Sequence, residues 1–136
     1  MSARPQAVLQ WSLRAGSVYF CLVAVTHMLG VKVPILYIYP TLPSYAYQDR
    51  LIAILSLGWA MVFSAAARDV ERHEEIIRAL LATGLGALAG LWTINVTMDL
   101  RALPASDVRA IWLGFAGFVC YLAWLIGWYW QSKARR

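Results

Sequence analysis

Four stretches of this chain are each long and apolar enough to cross a bilayer, and in 136 residues they leave little else. They cover residues 16–31, 51–67, 79–98 and 111–130. A helix needs about 20 apolar residues to cross the hydrocarbon, with roughly 17–25 as the working range. The second stretch is at the short end, and the first reaches full length only by continuing past Lys32 and Pro34. Hydrophobic residues make up 61% of the chain and charged residues 14%. A soluble domain carries about 45–50% and about 25% respectively. A soluble fold of this size has no interior large enough to hide that much apolar surface, so lipid is expected to cover it. The expected architecture is all-α: one four-helix transmembrane bundle over residues 1–136.

Lys and Arg are unevenly distributed. Arg4, Arg14, Arg68, Arg72, Arg78, Lys133, Arg135 and Arg136 fall on one side, against Lys32, Arg50, Arg101 and Arg109 on the other. Positive residues favour the cytoplasmic side, so both termini and the middle loop are expected there. The formal charge of +5 is then a topology signal with some attraction to anionic headgroups. Basic residues scattered over loops and tails make no nucleic-acid surface. Arg4 and Arg14 precede the first stretch without a small-residue cleavage site, so that span is expected to be retained. Cys21 and Cys120 lie in spans at different depths, which argues against a disulfide and predicts two buried thiols.

Between the spans, Val8, Leu9, Trp11 and Leu13 predict an interfacial helical turn after a frayed start. The outer loop at 32–48 holds Pro34, Pro40 and Pro43 with Tyr37, Tyr39, Tyr45 and Tyr47. The prolines forbid a long helix there, and the tyrosines suit the membrane interface. Ser106-Asp107 reads as the start of the fourth helix.

Helical spacing exposes two stripes of small residues. Ala53, Ser56, Ala60, Ser64 and Ala67 share a face of the second span, and Ala79, Ala82, Thr83, Gly86, Gly90, Thr93 and Thr97 share one of the third. Small residues let helix backbones approach closely in lipid, and Gly86 and Gly90 form a GxxxG. A short inner loop joins these spans, so an antiparallel pair through Ser56, Ala60 and Ser64 against Ala82, Gly86 and Gly90 is expected. In the fourth span Ala110, Gly114 and Gly117 share a face with Tyr121, Trp124 and Trp128. Small residues outside and rings inside leave the bundle roomier toward the outer leaflet unless another helix fills it.

Polar residues inside spans are expensive and mark candidate sites. His27, Asp49, Arg50, Trp92, Asn95 and Asp99 fall at similar height in the outer half and define an expected ligand-binding pocket. Its shape suits a lipophilic molecule with a polar head, a quinone or a lipid, with His27 or Asn95 bonding the head and Trp92 packing on its ring. The plainer reading is that Asp49, Arg50, Asp99 and Arg101 mark the water boundary while Asn95 bonds a neighbouring helix. The two histidines, His27 and His73, belong to opposite sides and cannot share one metal ion, so no metal site is expected. No acidic residue sits at the midplane, where a proton-coupled transporter needs one. The run from Arg68 to Glu75 reads as a solvated helix-end network in which Arg72 faces Glu74 and Glu75.

The run Asp49-Arg50-Leu51-Ile52, then Ala66-Ala67-Arg68-Asp69, His73 and Ile76-Ile77, resembles small bacterial four-helix membrane proteins of the DoxX-like and BphX-like kind. In those families an Asp-Arg-like pair opens the second helix and an Ala-Arg-Asp…His segment closes it. The resemblance covers about residues 45–78; the Tyr- and Pro-rich loop and the Gly/Thr-rich third span depart from the pattern. One branch looks like a small subunit of a quinone-linked oxidoreductase, which implies a quinone-adjacent accessory role in a bacterial inner membrane and no catalytic residue. The expected function is accordingly non-enzymatic: an accessory or assembly subunit of a larger membrane complex, or a homo-oligomer. The alternatives are a small redox or lipid-modifying enzyme using His27 and Asp99, and an oligomeric transporter.

Overall fold

This computed structural model describes residues 3–33, 36, 46–101 and 108–134. Among them four helices follow in chain order: α1 (Ala3–Leu29), α2 (Ala46–Arg68), α3 (Glu74–Thr97) and α4 (Val108–Ala134). All four are long and apolar enough to cross a membrane. Their outer surfaces are apolar as well: Trp11, Leu29, Leu113 and Trp130 are 65%, 70%, 73% and 64% exposed.

α1 is longer at its start than expected. It is helical from Ala3, so the frayed start and interfacial turn become its first turns, with the Arg14 guanidinium 4.7 Å over the Trp11 ring. It does not continue past Lys32. Gly30 takes a φ of +67°, and the Gly30 and Val31 N–H groups donate back to His27 and Thr26 carbonyls at 3.3 and 2.9 Å. This is a Schellman stop, in which glycine adopts the left-handed conformation at no steric cost. Most of the outer loop and the Ser106-Asp107 helix start lie outside the described residues.

The buried face of every helix runs at alternating spacings of three and four residues. On α1 it is Leu9, Leu13, Gly16, Phe20, Val23 and His27; on α2 Asp49, Ala53, Ser56, Ala60, Phe63 and Ala67. On α3 it is Ile77, Leu81, Gly84, Leu88, Leu91 and Asn95; on α4 Ile111, Phe115, Phe118, Leu122, Leu125, Tyr129 and Ser132. These are heptad seams, the pattern of near-parallel packed helices. Neighbours in the chain run antiparallel.

α1 and α2 form the closest pair. Gln10 Nε2 donates to the Ala67 carbonyl and Ser17 Oγ to the Ala60 carbonyl, both at 2.8 Å. α4 joins α1 through Tyr121, whose hydroxyl donates to the Ser12 carbonyl at 2.8 Å, and Trp124, whose Nε1 donates to Ser12 Oγ at 2.9 Å. Gly16 admits this approach: a Cβ there would lie 2.5 Å from Tyr121 Oη and 2.7 Å from the Phe63 ring. α3 leans on α4, with Gly84 against Leu122 and the Trp92 and Trp112 rings 5.8 Å apart.

The expected pairing of α2 with α3 is therefore corrected. These helices make the weakest of the four contacts. Ser56 and Ala60 are buried against α1's side of the bundle and Ser64 is half-buried, whereas Ala82, Gly86 and Gly90 are exposed. Among the described residues a Cβ on Gly86 or Gly90 would meet nothing within 4 Å. The bulkier α3 seam, Ile77 to Asn95, takes the packed position instead. Cys21 and Cys120 are free but exposed, not buried.

The apolar core gathers at one end. Leu9, Leu13, Phe63, Ala66, Ala67, Val70, Ile77, Leu80, Leu81, Leu122, Leu125 and Tyr129 form one cluster where α1 begins and α4 finishes. Toward the other end, among the described residues, a Cβ built on Gly114 or Gly117 of α4 would meet nothing within 4 Å, as is also true of Gly127 nearer the termini.

Candidate functional site

The three most polar seam positions all fall at the loop end. His27 closes the α1 seam, Asp49 opens that of α2 and Asn95 closes that of α3. All three are buried, each 7% exposed. His27 Nδ1 meets Asp49 Oδ1 at 3.0 Å. A carboxylate accepts, so Nδ1–H donates, which fixes the ring orientation as in metal and catalytic dyads. Removing one partner of such a buried pair costs about 3–5 kcal/mol, while replacing both by apolar residues of similar volume is often neutral.

Asn95 differs. Among the described residues its Oδ1 is buried without a hydrogen-bond partner, so the expected bond to a neighbouring helix is not made through this atom. A buried acceptor left without a donor costs about 1–3 kcal/mol, so such atoms call for an explanation.

Helix registers place these residues in one layer. Gly16 of α1 lies against Tyr121 of α4, and Gly84 of α3 lies against Leu122. From those contacts, His27, Asn95 and the Ala110–Ile111 turn of α4 are each about 16 Å further along, at ~1.5 Å per residue. The polar layer therefore caps the Ile111 end of the α4 seam, with Asp49 brought in by His27.

The other expected site residues sit outside this layer. Arg50 and Asp99 are exposed, and Asp99 Oδ1 accepts the Arg101 N–H at 3.1 Å. The carboxylate that His27 meets is that of Asp49, a contact across α1 and α2. Trp92 is 52% exposed and joins Trp112 and Phe115 in a ring cluster, its centroid 5.8 and 6.0 Å from theirs. It lies one turn from Asn95 on an adjoining face.

At the termini end a second polar group was missed as a unit. Glu74 contacts Lys133, lies 3.6 Å from Arg78 and accepts from the Tyr129 hydroxyl at 3.3 Å, while Arg78 also pairs with Glu75. Arg78 and Lys133, rather than Arg72, hold the two glutamates; the Glu74–Arg78 spacing of four was the available signal. Beneath them runs a groove of about 540 Å³, lined by Leu81, Ala82, Leu85, Ile126 and Trp130. In the α2–α3 turn, the Arg72 and Glu71 N–H groups donate to Asp69 Oδ1 at 3.0 and 3.1 Å. These bonds, that from Arg72 foremost, hold its carboxyl below the usual carboxylate range. His73 Nδ1 is buried there without a partner. Among the described residues no group of three or more His, Cys, Asp and Glu is placed to hold a metal ion.

Comparison with protein-family models, with curated proteins and with solved structures gives no match.

Proposed function

We propose that this chain is a non-enzymatic accessory protein of a bacterial inner membrane. It crosses the bilayer four times with both ends in the cytoplasm, and holds a quinone or lipid by its polar head at the loop end. The observation that carries the ligand reading is the buried His27–Asp49 pair at 3.0 Å, an expensive polar contact inside a membrane-length bundle. The distribution of Lys and Arg supports the orientation. The exposed stripe of Ala82, Gly86 and Gly90 supports association with a second copy or a larger complex through α3.

Native mass spectrometry of the chain released from its own membrane tests this reading. Wild type is expected to carry one lipophilic adduct per chain. The double variant His27→Leu/Asp49→Leu, which removes the pair without stranding either partner, is expected to lose it. Equal adducts on both, or none on wild type, contradict the ligand-holding role.

A further inference from the structure

We infer that the head bound at the loop end is a lipophilic phenol, a hydroxyl-bearing aromatic ring, which donates its proton to Asn95 Oδ1. This rests on the ligand-holding reading above and narrows it to one chemistry.

The argument begins from what the layer lacks. His27 and Asp49 satisfy each other at 3.0 Å. Asn95, 7% exposed and at a similar height on the α3 seam, keeps a buried acceptor with no donor among the described residues. An acceptor is met by a donor. A quinone carbonyl, an ester or an ether offers none; a hydroxyl does.

Charge narrows the class further. Asn95 is neutral, and its Oδ1 presents only lone pairs. A phosphate or carboxylate head would meet a repelling lone pair at Oδ1. A neutral hydroxyl fits.

The ring follows from the aromatic cluster one turn away. Trp92, Trp112 and Phe115 pack edge-on and tilted at 5.8–6.0 Å, and Trp92 remains half exposed. A flat head beside Asn95 meets this surface in the offset or edge-to-face contacts that aromatic pairs prefer. The open glycine face of α4, Gly114 and Gly117, leaves lateral room for a tail at the same height.

The sequence supplies a single-site probe, because Asn95 is the one asparagine in the chain. Asparagine labelled with a heavy carbon isotope at its side-chain carbonyl reports on this group alone by infrared spectroscopy. The full chain in lipid nanodiscs is titrated with dodecylphenol, with its methyl ether and with dodecanol. The proposal predicts that dodecylphenol moves the labelled band to lower wavenumber and saturates at one per chain. The ether leaves the band unmoved, and native mass spectrometry finds dodecylphenol retained at least tenfold better by wild type than by Asn95→Leu. A band already at its hydrogen-bonded position before titration, and unmoved by phenol, assigns the donor to water or protein and overturns the proposal. Equal retention of phenol and ether with no band shift overturns the hydroxyl contact while leaving the ligand-holding reading intact. Equal behaviour of dodecanol overturns the ring. Retention of none of the three defeats both readings.

Discussion

The two ends of the bundle solve different problems with the same helical spacing. At the termini end the seams carry Leu9, Leu13, Phe63, Ile77, Leu81, Leu122 and Leu125, and all four helices contribute to one apolar cluster. At the loop end the seams carry His27, Asp49 and Asn95, while Gly114 and Gly117 stand open. A continuous apolar seam would have closed the bundle along its whole length. Polar residues at the loop-end seam positions of three helices replace apolar packing at the end where a ligand has been proposed.

The largest expected effect tests whether the loop end depends on its His27–Asp49 pair. His27→Leu or Asp49→Leu alone should destabilise the chain by about 3–5 kcal/mol, and the double variant by much less. Thermal melts in detergent as a double-mutant cycle measure this; additive losses would show that the pair is not a unit. Next comes the close approach at the dense end. A Cβ at Gly16 would lie 2.5 Å from Tyr121 Oη, so Gly16→Ala should cost about 1–3 kcal/mol. Gly117→Ala, on the open face, should leave the melt unchanged. Equal costs at the two glycines would erase the difference between the ends.

A smaller effect of opposite sign is expected at Asn95. Asn95→Leu removes a buried acceptor that has no partner, so the ligand-free chain should gain about 1 kcal/mol. A loss of that size would mean that Asn95 has a structural donor. The smallest effect is a pH dependence at the turn between α2 and α3. The Arg72 and Glu71 N–H groups lower the Asp69 pKa in the folded state. Its contribution to stability is therefore present above the ordinary carboxylate range and is lost as pH falls through the depressed value. The melting difference between wild type and Asp69→Asn should shrink over that acid window; a difference that grows on acidification contradicts the capping role.

Much of the fold could be read from the chain because lipid-compatible helices need long apolar runs, and these are hard to mistake. The partners of those helices were less legible. The stripe Ala82, Gly86, Gly90 reads as a packing surface on composition, yet it is exposed while Ile77, Leu81, Gly84, Leu88, Leu91 and Asn95 take the packed side. In a span where nearly every residue is apolar, small size and heptad spacing compete. The seam was traceable from its polar end member, Asn95, read backward at three and four. The site was half legible in the same way. Depth placed His27, Asp49 and Asn95 at one height, but depth is blind to rotation about the helix axis. Rotation is what pairs His27 with Asp49 and turns Arg50 and Asp99 outward.

The contrast between the ends is tested most directly by hydrogen–deuterium exchange on the full chain in lipid nanodiscs, compared peptide by peptide. Amides around Ile77–Leu81 and Leu122–Tyr129, within the shared core, should exchange slowest. Those around Leu91–Asn95 and Ile111–Phe115 should exchange measurably faster, because fewer packed neighbours oppose local opening. Uniform protection along α3 and α4, or faster exchange at the termini end, would contradict the account.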